Sequence, residues 1–252
     1  TTLKVLMGLI RPSSGRASIL GHDVSESAFR EHIGFLPENP YFYSFLSARE
    51  ILDFYARLCG LTGQARAERI RMLLAWVGLE HAADSRLKTY SKGMLQRVGI
   101  AQALVHDPSV VFLDEPMSGL DPIGRKEIRD IILRLRSEGK TVFMNTHILS
   151  DVEMLCDRVA IIVQGRIEYL GRIEDFLAAD EMMSDVLLSG LSPDAAAAIE
   201  ERYAAELRGV GQRIEIRIQE KRVNEVLREL LAAGAEVVSV TPHRVSLEQI
   251  FL

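Results

Sequence analysis

The stretch Val110–Pro116 reads VVFLDEP, an apolar run followed at once by two adjacent carboxylates and a proline. An apolar run of this length predicts a strand buried on both faces, as in a parallel sheet with helices on either side. Ligands bind at the carboxyl ends of such strands. Because an unpaired buried charge is costly, Asp114 and Glu115 must either face water or neutralise a bound group. The alternative is a core strand that surfaces into an acidic turn.

Strands and helices alternate on both sides of this stretch. A strand is predicted in HIGFLPENP, a helix opens at Ser91, a charged helix runs from about Pro122 to Glu138, and a second buried strand, TVFMNTH, ends at His147. This alternation predicts an α/β fold with a mainly parallel, doubly wound sheet.

Apolar residues recur at helical spacing from Ser47 to about His81, with LCGLTGQ as a break. The pattern predicts a compact helical insertion, and we place a helical subdomain at about 47–106. From about Asp185 the predicted order changes to strand, helix, strand, strand, helix and strand, the order of a split βαβ domain. We therefore predict two domains, 1–180 and a small α+β, ferredoxin-like domain at 181–252.

Composition restricts the classes of partner. The net charge of -5 does not favour nucleic-acid binding, which is typical of chains with a basic excess, and we expect no nucleic-acid partner. The two cysteines, Cys59 and Cys156, lack the spacing of a metal site and indicate a reducing compartment. No apolar run reaches the length of a transmembrane helix, so the sequence predicts no span of its own.

Two carboxylates and a histidine follow neighbouring strands of the predicted sheet. The carboxyl ends of parallel strands meet at one edge, so we expect Asp114, Glu115 and His147 to share a cleft. Asp114 suits a hard cation, Glu115 can orient or deprotonate a water molecule, and His147 can donate to a developing phosphate charge. The alternative for His147 is a structural role at a strand end.

Two further segments are candidates for the site, and the first of them suits a phosphate. In TYSKGMLQR, Ser91 and Gly93 begin an amphipathic helix, whose N-terminal amides and partial positive charge favour an anion, and Lys92 adds to that charge. In SGLDP, Asp121 is predicted to lie in a loop beside the cleft. An ordinary serine cap and an ordinary turn remain the alternatives.

The motifs YSKGMLQR, VVFLDEPMSGLDP and NTH, in this order and spacing, resemble those of the nucleotide-binding subunits of ATP-binding-cassette (ABC) transporters. YSKGM resembles the signature, VVFLDE the Walker B motif, SGLD the D-loop, His147 the H-loop residue and HIGFLPENP the Q-loop. The closing SLEQIFL is similar to the end of the drug-export branch in bacteria. The resemblance implies a P-loop NTPase-type fold.

The resemblance also implies ATP and Mg²⁺ as cofactors and two subunits paired head to tail around two ATP molecules. It places Asp114 on Mg²⁺, Glu115 on the attacking water and His147 on the γ-phosphate. Ser91 and Gly93, with Lys92 between them, would reach the partner's ATP, and Asp121 would link the two sites. The second subunit is expected to be identical or similar.

The sequence departs from the family pattern in three places. The phosphate-binding loop G-x-x-x-x-G-K-[ST] is absent, and TTLKVLMGLI resembles the helix that follows it, so we expect a sequence truncated after the Walker A loop. The chain as it stands is expected to be inactive alone, and the complete protein to be an ATPase. Glu38 replaces the Q-loop glutamine but can still ligate Mg²⁺. The signature has Lys92 and Met94 in place of Gly and Gln.

By this resemblance the protein powers substrate transport, with export expected, through an integral membrane permease. It would lie peripherally on the cytoplasmic face of the inner or plasma membrane. In the family the neighbourhood of PYFYSF meets the permease, and one or two of Tyr41, Tyr43 and Phe45 are expected to face that partner. The alternative function is a non-hydrolytic, regulatory subunit that lacks its own phosphate loop.

Overall fold

The structure is a computed structural model that describes residues 1–178, 183–203, 205–210 and 213–243. The chain divides into two compact units, Thr1–His147 and Ile148–Leu252. Each has its own sheet and apolar core. The domain boundary predicted near residue 180 stays a prediction, and the SLEQIFL segment lies outside the described residues.

The first unit alternates helices and strands. In chain order they are α1 (Thr2–Leu6), β1 (Ser18–Ile19), β2 (His22–Asp23), β3 (Ile33–Leu36), α2 (Ala48–Leu58), α3 (Gly63–Trp76), α4 (Lys92–Ala103), β4 (Val110–Asp114), α5 (Pro122–Ser137) and β5 (Thr141–Asn145). The order predicted from the sequence, a strand, a helical insertion and then alternating helices and strands, is confirmed.

The three-stranded sheet of this unit is parallel, in the order β3-β4-β5, and β1 and β2 form a separate antiparallel pair. The apolar side chains of the middle strand are buried, and Val111 and Leu113 are fully so, as the run VVFL predicts. The prediction of a second fully buried strand is wrong for β5, whose side chains alternate between exposed and half-buried. Within the described part of this unit β5 pairs with β4 alone, so it lies at the sheet edge.

The helical insertion begins with a reciprocal cap. The Ser47 hydroxyl accepts from the Glu50 backbone N–H (3.2 Å), and a Glu50 carboxylate oxygen accepts from the Ser47 N–H (2.7 Å). Two donors that the first helical turn leaves without partners are thereby satisfied. α2 consequently begins where the apolar periodicity predicts it.

Two arginines join α3 and α4, because an arginine of each helix donates to carbonyl oxygens at the C-terminal end of the other helix. Arg69 of α3 donates to the carbonyl oxygens of Leu104 (2.5 Å) and Val105 (3.1 Å), just after α4. Arg97 of α4 donates to the carbonyl oxygen of Val77, just after α3 (3.1 Å). The last carbonyls of a helix lack intrahelical partners and carry partial negative charge, so each guanidinium is well matched to them. These bonds hold α4 against the helical insertion.

α4 also packs closely on β3 and is tied to α5. A Cβ atom at Gly34 would collide with the Ala103 carbonyl oxygen, and one at Gly99 would collide with the side chain of Leu36. Arg97, whose side chain is largely buried, forms an ion pair with Glu127 of α5 at 3.4 Å. The helix that starts at the predicted phosphate-binding segment is therefore fixed to the sheet and to both neighbouring helices.

The second unit contains α6 (Leu149–Leu155), β6 (Arg158–Val163), β7 (Arg166–Arg172), α7 (Ile173–Ala178), β8 (Met183–Ser189), α8 (Pro193–Tyr203), β9 (Glu206–Val210), β10 (Arg213–Gln219), α9 (Val223–Ala232) and β11 (Glu236–His243). β6 and β7 form an antiparallel hairpin. The last four strands form an antiparallel sheet in the order β11-β8-β10-β9. Val186, Leu188 and Ile216 are fully buried in its core. This topology confirms the predicted ferredoxin-like arrangement.

The arginine caps lead to a stability prediction. We expect Arg97→Met to lower the free energy of unfolding of the first unit by about 1–3 kcal/mol, because the Val77 carbonyl oxygen and the partly exposed Glu127 carboxylate lose their donor. Urea unfolding followed by the fluorescence of Trp76, the single tryptophan, measures it. Arg71→Met, at an exposed position of the same helix as Arg69, should change stability by less than about 0.5 kcal/mol. Equal losses in the two variants would contradict the assignment.

Candidate functional site

The predicted carboxylates lie at the carboxyl end of β4. Asp114 is its last residue and pairs in register with Asn145, the last residue of β5. Glu115 follows with a φ of 47°, in the left-handed region that non-glycine residues rarely adopt. Its backbone N–H donates to the Asn145 carbonyl oxygen (2.8 Å), which extends the sheet bonding by one residue. Backbone strain of this kind, of order 1–3 kcal/mol, concentrates at functional sites.

The Glu115 side chain contacts His147 across the same edge. His147 Nδ1 lies 2.8 Å from Glu115 Oε1. The carboxylate is 15% exposed and the imidazole 74% exposed, so the pair extends from the sheet edge into solvent. Glu115 Oε2 is buried and has no hydrogen-bond partner among the described residues. Buried carboxylate oxygens are nearly always hydrogen-bonded, so this unpartnered oxygen is unusual and marks the pair as a candidate site.

Glu115 also controls the charge of His147. Its hydrogen bond, and then its negative charge, raise the pKa of His147 above the ordinary value of 6.5. The charge of Glu38 acts in the same direction, whereas the charge of Arg125 opposes it. The protonated imidazole is therefore favoured, and this form can donate to an anion.

Asn145 is a member of this cluster that the sequence analysis missed. Its side-chain Nδ2 donates to Asp114 Oδ1 (2.8 Å), while its carbonyl oxygen accepts from the Glu115 N–H. One residue thus contacts both carboxylates. The signal in the sequence was its place at the end of the second predicted strand, two residues before His147, whereas its register with Asp114 is given only by the structure.

The second group of predicted residues lies at the N-termini of α4 and α5. Ser91 caps α4, with its hydroxyl accepting from the Met94 N–H (3.2 Å). Asp121 caps α5, with Oδ1 accepting from the Gly124 N–H (2.8 Å). A Cβ atom at Gly93 would lie 3.9 Å from the Gly124 Cα, so the two helix starts are close neighbours. The partial positive charges of the two helix N-termini therefore reinforce each other in the space between Gly93 and Gly124.

These helix starts border a cavity of about 360 Å³, which Ser91, Lys92, Gly93 and Asp121 help to line. Lys92 extends over the neighbouring loop, where a Cβ atom at Gly119 would lie 2.5 Å from its ammonium nitrogen. Gly119 has a φ of 65°, a conformation that favours glycine. The cavity combines helix-terminal amides with a cation, which is the chemistry that binds a phosphate.

Glu38 lies two residues after β3, is exposed, and acts on His147 through its charge. The oxygen donors of Asp114 and Glu38 fit a hard cation such as Mg²⁺. No cluster of three or more histidine, cysteine or acidic residues suited to a metal occurs in the part of the chain that the structure describes. This donor set fits Mg²⁺, which is usually held by one or two carboxylates together with substrate phosphates and water.

Comparison with known proteins identifies the same family in sequence and structure. The family model described as ABC transporter matches residues 1–118. An ABC transporter ATP-binding protein of Synechocystis is 50% identical over 192 residues, which cover 75% of this chain and 54% of that relative. YhcH, an ABC transporter ATP-binding protein of Bacillus subtilis, is 34% identical over the whole chain, which covers 81% of it.

A fluoroquinolones export ATP-binding protein of Mycobacterium tuberculosis is 41% identical over 66% of this chain and 55% of its own length. The chain thus spans about half the length of several of these relatives. Among solved structures, cbiO1 of Clostridium perfringens, part of the ABC transporter complex cbiONQ, matches with a TM-score of 0.64 and 27% identity. That match covers 80% of this chain and 78% of cbiO1.

The Glu115–His147 contact leads to a pH prediction. In Glu115→Gln the pKa of His147 should fall toward its ordinary value, because the charged acceptor is lost. NMR titration of the histidine ring protons measures it, with His147→Gln identifying the signal. In the wild type, the stability that this contact contributes is fully present below about pH 6.5 and is lost as the pH rises through the raised pKa.

The control is Glu38→Gln, which should lower the same pKa by less, since Glu38 acts on the ring only through its charge whereas Glu115 is also hydrogen-bonded to it. An unchanged His147 pKa in Glu115→Gln would show that the pair does not form in solution.

Proposed function

The chain belongs to the ABC transporter ATP-binding proteins, and on that premise we propose that it binds and hydrolyses ATP to power substrate export through a partner membrane permease. The observation that carries the proposal is the strained, hydrogen-bonded Glu115 beside Asp114 and His147. Export is supported by the Mycobacterium tuberculosis relative, which is named for the export of fluoroquinolones. In a non-hydrolytic regulatory subunit this catalytic pair would have no task.

Asp114 and Glu38 are the residues that would hold Mg²⁺. When bound, the cation supplies positive charge to the phosphates of ATP. Asp114 offers a carboxylate on a rigid strand end, and Glu38 offers an exposed one after β3. The replacement of the family glutamine by Glu38 keeps an oxygen donor and adds a negative charge.

Glu115 and His147 carry the proposed chemistry. The Glu115 carboxylate accepts a hydrogen bond from the attacking water, and this orients and polarises the nucleophile. His147 contacts the γ-phosphate and donates to its developing charge. The hydrogen bond between them aligns the imidazole and raises its pKa, which favours the protonated form. Positioning and charge stabilisation are the main requirements of phosphoryl transfer.

Two copies are proposed to pair head to tail, so that each completes the other's site. Ser91, Lys92 and Gly93 would contact the γ-phosphate of ATP bound to the partner, and Asp121 would link the two sites. The cavity at the starts of α4 and α5 supports this role, because its amides and the Lys92 ammonium suit a phosphate. Lys92 gives this surface a cation where the family usually has glycine.

The partner permease is proposed to contact the segment PYFYSF, which precedes the helical insertion. Tyr41, Tyr43 and Phe45 are 87%, 58% and 64% exposed, and exposed aromatic groups of this size are typical of protein interfaces. No helix in the described ranges is both long and apolar enough to cross a bilayer. We place the protein peripherally at the cytoplasmic face of the inner or plasma membrane, without a nucleic-acid partner.

The proposed domain assignment gives residues 1–180 to the ATPase domain and residues 181–252 to an accessory domain. The self-contained ferredoxin-like sheet, which begins at Met183 and has its own core, supports the second assignment.

Substitution of Glu115 tests the proposed hydrolysis in the full-length protein. Glu115→Gln should lower ATP turnover by at least about 100-fold, because the neutral amide cannot take a proton from the attacking water as a carboxylate can. ATP binding, followed with a fluorescent analogue, should stay within about threefold of wild type. Glu26→Gln, an exposed carboxylate, is the control and should keep wild-type turnover. Unchanged ATP hydrolysis in Glu115→Gln would contradict the proposal that Glu115 acts on the attacking water.

Charge reversal at Lys92 tests the proposed pairing. In the Glu115→Gln background, ATP should convert monomers to dimers, as measured by light scattering after gel filtration. Adding Lys92→Glu should raise the ATP concentration for half-maximal dimerisation at least about tenfold, equivalent to about 1.4 kcal/mol. Lys88→Glu makes the same change of charge at an exposed site four residues earlier and should have a much smaller effect. If Lys88→Glu weakened dimerisation as much as Lys92→Glu, the effect would come from net charge, and a specific role of Lys92 in pairing would be contradicted.

A further inference from the structure

Asn145 connects the two neighbouring carboxylates of the site in different ways. Its side-chain Nδ2 donates to Asp114 Oδ1 at 2.8 Å, and its main-chain oxygen accepts from the Glu115 N–H at 2.8 Å. We propose that Asn145 is a positioning residue for the cation: its side chain orients the Asp114 carboxylate so that one oxygen is held and the other, Oδ2, is presented to Mg²⁺. This inference rests on the function proposed above.

The position of Asn145 follows from the sheet. β4 and β5 are parallel and pair Asp114 with Asn145, so the two side chains leave adjacent strands on the same face, about 5 Å apart. A short side chain with a terminal donor spans that separation. The bond is made at the last pair of the ladder, where the flanking Val110–Leu113 run anchors the strand in the core.

The chemical type of Asn145 also suits this task. An amide donates to a carboxylate without carrying charge, so it fixes the carboxylate without competing with a cation. A lysine in this position would neutralise Asp114, and a second carboxylate would repel it. Partners that orient a metal ligand in this way typically change metal affinity 10- to 100-fold when they are substituted.

Asn145 contacts Asp114 through its side chain and Glu115 through its main chain, so substitution of the side chain tests the first contact alone. Substituting the Asn145 side chain removes the bond to Asp114 but leaves the carbonyl that accepts from Glu115. The proposal therefore requires a change in the affinity for the divalent cation with little change in the rate at saturating cation. A general loss of folding at the end of β5 would change both.

The experiment uses the full-length protein with Mn²⁺ as a spectroscopic probe for Mg²⁺. Mn²⁺ binding is measured by electron paramagnetic resonance at a saturating concentration of a non-hydrolysable ATP analogue, and the Mg²⁺ dependence of ATP turnover is measured in parallel. Asn145→Leu keeps a similar volume without the donor and should weaken Mn²⁺ binding about tenfold. The apparent Mg²⁺ constant should rise by the same factor, with the maximal rate within about threefold of wild type.

Asn145→Ala is the second variant, because loss of a side chain at this exposed strand end is expected to be tolerated. It should reproduce the weaker Mn²⁺ binding. Thr141→Val, at the exposed opposite end of β5, is the control and should bind Mn²⁺ as the wild type does. Wild-type Mn²⁺ affinity in both Asn145 variants would overturn the inference, and so would equal weakening in the Thr141 control.

The failures of the two proposals are distinguishable. A wild-type protein that neither binds Mn²⁺ with the nucleotide nor hydrolyses ATP would overturn the proposed function, and this inference with it. A wild-type protein that does both, with Asn145→Leu unchanged in Mn²⁺ affinity, would overturn the positioning role alone.

Discussion

The parallel pairing of β4 with β5 is the constraint on which the site depends. It places Asp114 opposite Asn145 and gives the Glu115 N–H its acceptor, and the next turn of chain brings His147 to the Glu115 carboxylate. A shift in this register would separate these groups, because neighbouring side chains would then point to opposite faces. The buried apolar run of β4 prevents such a shift, so the packing of the core fixes the positions of Asp114, Glu115 and His147.

The second group of residues depends on how α4 is held. The bonds of Arg69 and Arg97 to carbonyls at helix ends, the ion pair of Arg97 with Glu127, and the close contact at Gly34 fix the helix to its neighbours. A phosphate-binding helix start is useful only if its amides stay in place when an anion arrives. The bracing of α4 therefore supports binding at a distance from the carboxylates that would carry out hydrolysis.

Charge is distributed unevenly between the two groups. The strand ends concentrate the carboxylates of Asp114, Glu115 and Glu38. The hydrogen bond and the charge of Glu115, and to a smaller extent the charge of Glu38, raise the pKa of His147. The helix starts offer amides and the Lys92 ammonium, and the carboxylates of Asp121 and Glu127 border the same cavity. A nucleotide with a bound cation presents both signs of charge, so it suits a site that combines these two groups of residues.

Local pattern and motif spacing in the sequence determined the α/β class, the helical insertion, the ferredoxin-like order of the last strands and the candidate residues, because burial and capping leave clear periodic signals. The exposure of β5 and the role of Asn145 were decided only by the tertiary structure. An asparagine at a strand end has no evident role until the partner strand is known. The apolar residues of β5 predict a buried strand, although β5 pairs only with β4 in the described part of its unit. Both facts depend on which strands pair and in what register, and no window of sequence contains that long-range information.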